Sequence, residues 1–81
     1  MVIKILGEGC DKCHKVYENT LLALKELNIK AEVLKIEDFK EIIMYGIMST
    51  PAFMVDDTVK STGRILSTKD IIKIIQKYQE A

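Results

Sequence analysis

The chain has 81 residues, 48% of them apolar and 30% charged, and its formal net charge is zero. A chain this short makes one domain, residues 1–81, and buries a small share of its surface, so its core must be dense. The balanced charge, with no basic stripe interleaved with aromatics, argues against a nucleic-acid partner, and no apolar run approaches the ~20 residues that cross a bilayer.

Val2-Ile3-Lys4-Ile5-Leu6 is a β-branched, mostly apolar run that predicts a buried strand. It is too short, and too interrupted by Lys4, to serve as a signal peptide, so a cytoplasmic location and no membrane association are expected. Gly7 and Gly9 break the strand. From Asp11 to Asn28, the positions Cys13, Val16, Tyr17, Leu21, Leu24 and Leu27 follow helical spacing, with Asn28 as the stop. Ala31 to Ile36 predicts a second strand. Glu37 or Asp38 can cap a short helix through Phe39, Ile42 and Ile43, which Gly46 ends.

The segment Ser49-Thr50-Pro51-Ala52-Phe53-Met54-Val55 reads as a third strand opened by the chain's only proline. Asp56-Asp57 is a turn, and Thr58 to Thr62 completes a hairpin. Ser67 or Thr68 caps a last helix, Ser67 with Asp70 forming a capping box, and Ile71, Ile74, Ile75 and Tyr78 make its inner stripe. The order βαβαββα predicts an α/β fold: a four-stranded mixed sheet flanked by three helices, with right-handed crossovers in its parallel part. Met44, Met48 and Met54 read as core or groove packing. Ile47, Met48 and Tyr45 are candidates either for the core or for the rim of a site.

The two cysteines stand in Gly7-Glu8-Gly9-Cys10-Asp11-Lys12-Cys13-His14, between the first strand and the first helix. In a reducing compartment such a pair is catalytic or metal-binding rather than part of a disulfide framework. A helix start presents unpaired N–H groups and a positive dipole end to the first sulfur, which favours the thiolate. Thiol pKa values in such sites fall to ~3.5–7.5. Lys12, Lys15 and protonated His14 favour the thiolate at Cys10; Asp11 opposes it and stabilises the helix start instead.

The element order, with Cys10-Asp11-Lys12-Cys13 after the first strand and Thr50-Pro51 opening the third, resembles the thioredoxin-like fold. The length is similar to that of the small, glutaredoxin-sized redox-active disulfide proteins within it. The resemblance spans nearly the whole chain. It implies thiol–disulfide exchange, with Cys10 as the attacking and Cys13 as the resolving thiol. It further implies a cis-proline at Pro51, a substrate cleft shaped by Thr50, Pro51 and Gly63, and the backbone of Thr50 offered to an extended substrate segment. Protein disulfides would be the substrates, a separate reductase or thiol would donate electrons, and no bound cofactor is expected of what would be a monomer. Asp11-Lys12 replaces the Gly-Pro of typical thioredoxins and the Pro-Tyr of glutaredoxins. Thr62-Gly63-Arg64-Ile65 stands where glutaredoxins carry their glutathione-holding segment.

Two other uses of the cysteine pair stay open at this level. A binding module could hold Cu(I) or another soft metal through the same thiolates, and a redox-switched adaptor could change partners without turnover. A zinc site needs about four ligands, and His14 is the only histidine. Cys10-Asp11-Lys12-Cys13-His14 also fits the pattern for c-type haem attachment, but three strands and a hairpin do not suit a small cytochrome.

Overall fold

The computed structural model describes residues 1–8 and 11–80. Its elements run β1 (Val2–Leu6), α1 (Asp11–Leu27), β2 (Glu32–Ile36), α2 (Phe39–Met44), β3 (Ala52–Val55), β4 (Thr58–Thr62) and α3 (Thr68–Glu80). The strands form one sheet in the order β2-β1-β3-β4. β1 and β2 are parallel, from Val2 opposite Glu32 to Leu6 opposite Ile36. β3 is antiparallel to β1, with Ile3 opposite Val55 and Leu6 opposite Ala52. The expected βαβαββα order and mixed sheet are therefore present. The third strand, however, begins at Ala52 rather than at Ser49, since Pro51 has no N–H to give to a ladder.

Side chains alternate across a strand, and the registers divide the core accordingly. Ile3, Ile5, Phe53 and Val55 face α1 and α3 and pack with Val16, Ala23, Leu24, Leu66, Ile71 and Ile75. Leu6, Ala52 and Met54 face the other way and meet Ile42 of α2 and Ile47. All four residues of β3 are buried, because helices cover both faces of the sheet there.

Local signals set the helix ends. Asn28, at φ 55°, ends α1: its N–H donates to the Lys25 carbonyl and that of Ile29 to the Leu24 carbonyl, the double bond of a Schellman motif. Asp38 caps α2 by accepting from the Lys40 N–H at 2.9 Å. Ser67 and Asp70 bond reciprocally at the start of α3, and Leu66 and Ile71 on either side of the cap are both buried.

The buried face of α1 departs from its apolar pattern. Leu21 is 44% exposed, whereas Asn19 and Thr20 are buried. Both polar groups are satisfied: the Thr20 hydroxyl donates to the Val16 carbonyl, and the Asn19 amide donates to the Leu66 carbonyl at 2.9 Å. The Asn19 bond ties the middle of α1 to the loop that enters α3. Asn19→Ala strands that carbonyl in the core and should cost about 1–3 kcal/mol. A urea titration showing a loss under about 0.5 kcal/mol would contradict this role.

Asp56 joins three elements. With Asp57 it forms the two-residue hairpin turn, both at positive φ. Its carboxylate accepts from the Val2 N–H at 2.7 Å and from the Tyr78 hydroxyl at 2.5 Å. These two bonds, the tyrosine's first, hold the Asp56 carboxyl below its ordinary range. The same bond holds the Tyr78 hydroxyl above its own. A depressed carboxylate contributes stability that is lost as pH falls through its folded pKa, and a raised tyrosine contributes stability lost as pH rises through its own. The docking of α3 on the hairpin should therefore be strongest between those limits. Asp56→Asn keeps a residue that tolerates positive φ but removes the charge. Tyrosinate absorbance should then show the Tyr78 transition moving down towards the ordinary value of about 10; an unmoved transition would count against the pairing.

Lys4 lies on the α2 side of β1 and links distant elements. Its ammonium donates to the Tyr45 hydroxyl at 3.0 Å and to Asp57 at 2.8 Å. The Asp57 carboxylate, then the Tyr45 hydroxyl, hold it protonated beyond the usual lysine range. The end of α2 is thereby anchored to the hairpin across the sheet.

Candidate active site

The site is built where β1 gives way to α1. Gly7 extends the strand by one bond, its N–H donating to the Ile36 carbonyl at 2.9 Å. Glu8 follows, and α1 starts at Asp11. Gly9 and Cys10 lie outside the described residues, so Cys10 is located by its place in the sequence, one residue before the helix.

Cys13 occupies the first turn of α1 and is 3% exposed. Its sulfur packs against the bare α-carbon of Gly7: a β-carbon built on Gly7 would stand 2.0 Å from the Cys13 Sγ. The same point lies 3.6 Å from the Thr50 Cβ. Gly7 thus sits between Cys13 and Thr50, two residues far apart in the chain. The Thr50-Pro51 peptide bond is cis. Pro51 is buried and Thr50 exposed. The Pro51 carbonyl accepts from the Gly63 N–H at 3.0 Å. Gly63, at φ 71°, lies so close to Ser49 that a β-carbon would meet the Ser49 Cβ at 3.1 Å. Cys13, Thr50, Pro51 and Gly63 are therefore brought into one neighbourhood.

The expected modulators of thiol ionisation are all at the surface. Asp11 and Lys12 are exposed in the first turn of α1. His14 is exposed too, and its Nε2 lies 2.8 Å from the Glu18 carboxylate one turn along the helix. The helix itself, 17 residues long, directs the positive end of its dipole at this loop.

Beside Thr50 opens a cleft of about 260 Å³ lined by Glu8, Phe39, Ile42, Ile47, Met48 and Thr50. Of the three candidates for core or rim, Tyr45 is 37% exposed and does not line this cleft. Ile47 is core, whereas Met48 is 98% exposed. Of the three methionines expected as core or groove packing, Met54 is buried in the core, Met48 lines this cleft, and Met44 is 84% exposed on α2.

A family model for the thioredoxin domain matches residues 1–76. The chain belongs to the thioredoxin family. It is 39% identical over 80 residues to a thioredoxin of Methanocaldococcus jannaschii, covering 99% of this chain and 92% of that one. It is also 39% identical over 75 residues to a thioredoxin of Methanothermobacter thermautotrophicus, covering 93% and 97%. The fold is similar to the solved structure of thioredoxin 1 from Thermosipho africanus, with a TM-score of 0.67, 21% identity and coverage of 99% of this chain and 96% of that one. Among the described residues, no helix is long and apolar enough to cross a membrane.

Within this thioredoxin site, Gly7 is the residue that the sequence pattern leaves unmarked. As a sequence feature it only ends a strand. The signal that it does more is its burial and its place in the ladder, where neither a turn nor a positive φ calls for glycine.

Proposed function

We propose that this chain is a thiol–disulfide oxidoreductase that reduces protein disulfides through a reversible Cys10–Cys13 bond. The observation that carries it is the seat of the Cys13 sulfur, buried in the first turn of α1 beside Gly7 and next to the Thr50-Pro51 segment, in a chain of the thioredoxin family.

Cys10, one residue before α1 in the sequence, attacks a substrate disulfide as the thiolate. One substrate sulfur leaves as a thiolate and the other stays bonded to Cys10. Cys13 then attacks the Cys10 sulfur, forming the Cys10–Cys13 bond and releasing the second substrate thiolate. Two electrons have passed to the substrate, and an external reductase or thiol must restore the dithiol. The N–H groups and dipole of α1 favour the thiolate of Cys10. Asp11 tempers this effect, while Lys12 and protonated His14 add to it. Thr50 lines the cleft, with Pro51 and Gly63 bonded together behind it, and this segment holds an extended stretch of the substrate by its backbone. Residues 1–81 act as one monomeric domain in the cytoplasm.

The test is turnover: a dithiol donor, a disulfide-bonded polypeptide and catalytic amounts of the protein. Reduction well above the uncatalysed rate supports the proposal. Stoichiometric retention of Cu(I) by the same two thiols, with no turnover, would replace it by the metal-binding reading.

A further inference from the structure

Gly7 is held in place by the sheet. Its N–H is bonded to the Ile36 carbonyl of β2, so its backbone cannot yield without breaking the ladder. Cys13 is held in place by the helix. In α1 its side chain has two comfortable χ1 rotamers, because the third drives into the preceding turn. The sulfur uses the one that fills the space a Gly7 side chain would take. The 2.0 Å to the Cys13 Sγ and 3.3 Å to the Cys13 Cβ are both below ordinary non-bonded separations of ~3.5–4.0 Å. A single methyl group at position 7 must therefore move the sulfur.

We propose that Gly7 is a positioning residue for Cys13: the slot left by its missing side chain holds the resolving sulfur where it can attack Cys10. The proposal rests on the resolving role of Cys13. In that step the Cys13 thiolate bonds to the Cys10 sulfur, the Cys10–substrate bond breaks, and the substrate sulfur leaves with the electron pair. No other reactant is needed. The attacking sulfur must approach the disulfide with defined geometry, and misplacement by about 1 Å can cost about a hundredfold in rate. Gly7 acts on this second step alone, since the attack by Cys10 on the substrate does not use Cys13.

The experiment compares Gly7→Ala with the wild type in three readouts. The first is a single turnover with a disulfide-bonded peptide, quenched with acid and read by mass. The second is the equilibrium of the Cys10–Cys13 disulfide with dithiothreitol. The third is the melting temperature of the reduced proteins, each with and without Cys13→Ala. Mixed disulfide should accumulate in Gly7→Ala, with resolution slowed about ten- to a hundredfold and the first attack little changed. The intramolecular disulfide should be more easily reduced. The stability lost in Gly7→Ala should be largely restored when Cys13→Ala removes the opposing sulfur, a coupling that a merely structural glycine would not show. If Gly7→Ala does not fold, recovery of folding in the double variant carries the same information. Wild-type rates and equilibrium in Gly7→Ala, or strictly additive melting effects, would overturn the positioning role. A wild-type protein that never forms the Cys10–Cys13 disulfide would instead overturn the resolving role of Cys13, and the inference with it.

Discussion

Cys10→Ser should bring disulfide turnover down to the uncatalysed rate, and Cys13→Ser should stop the reaction half-way. The two variants should fail differently because the proposed reaction gives the two sulfurs different work. A serine hydroxyl at position 10 is not ionised near neutral pH and cannot open a disulfide, so no adduct forms. With serine at position 13, Cys10 still attacks, but its mixed disulfide has no internal thiol to release it. Mass analysis should then find one substrate chain per protein, released only by added dithiol. The burial of Cys13 fits this division, since a residue 3% exposed in the first turn of α1 is poorly placed to meet a polypeptide substrate. Full turnover by Cys13→Ser would show that release depends on external thiol alone. Turnover by Cys10→Ser would move the nucleophile elsewhere.

The second large effect is on the fold itself. Phe53→Ala should cost about 3–5 kcal/mol. Phe53 is the bulkiest fully buried side chain, 1% exposed, on a strand covered on both faces. It faces α1 and α3, opposite Ile5 of β1, and its removal leaves a cavity among residues that the sheet holds apart. A domain of 81 residues has roughly 4–12 kcal/mol of stability in all. The variant should therefore melt more than about 10 °C lower, or fail to fold at all. A loss under about 1 kcal/mol by urea titration would mean that the core closes around the gap, which two packed layers on a pinned register do not allow. Phe53→Leu retains part of the volume and should lose less.

The parts of this molecule that were legible in its sequence are those governed by local chemistry. β1 begins and ends where its β-branched run does, and the caps at Asp38 and Ser67 follow from short-range bonds between side chain and backbone. The hairpin follows from two aspartates that tolerate positive φ. What was not legible depends on partners distant in the chain. Asn19 and Thr20 look like surface residues of α1, and Leu21 looks like core. The reverse holds because the Leu66 carbonyl, 47 residues away, needs a donor and Asn19 supplies it. Met44 looks like core or groove packing, yet it is 84% exposed, because α2 is only six residues long and offers the sheet a single buried side chain, Ile42. At the site, the cysteine spacing and Thr50-Pro51 could be read directly. The need for glycine at position 7 could not, because it arises from the sulfur of a helix residue meeting the end of a strand.

A reversible Cys10–Cys13 disulfide can be read straight from a redox equilibrium titration. Pure, metal-stripped protein is held in graded dithiol/disulfide buffers, quenched by alkylation and weighed. The expected result is a single two-electron transition, with both thiols lost together, near the about −270 mV that thioredoxins show as a class. Two thiols that stay reduced across the whole range would contradict it.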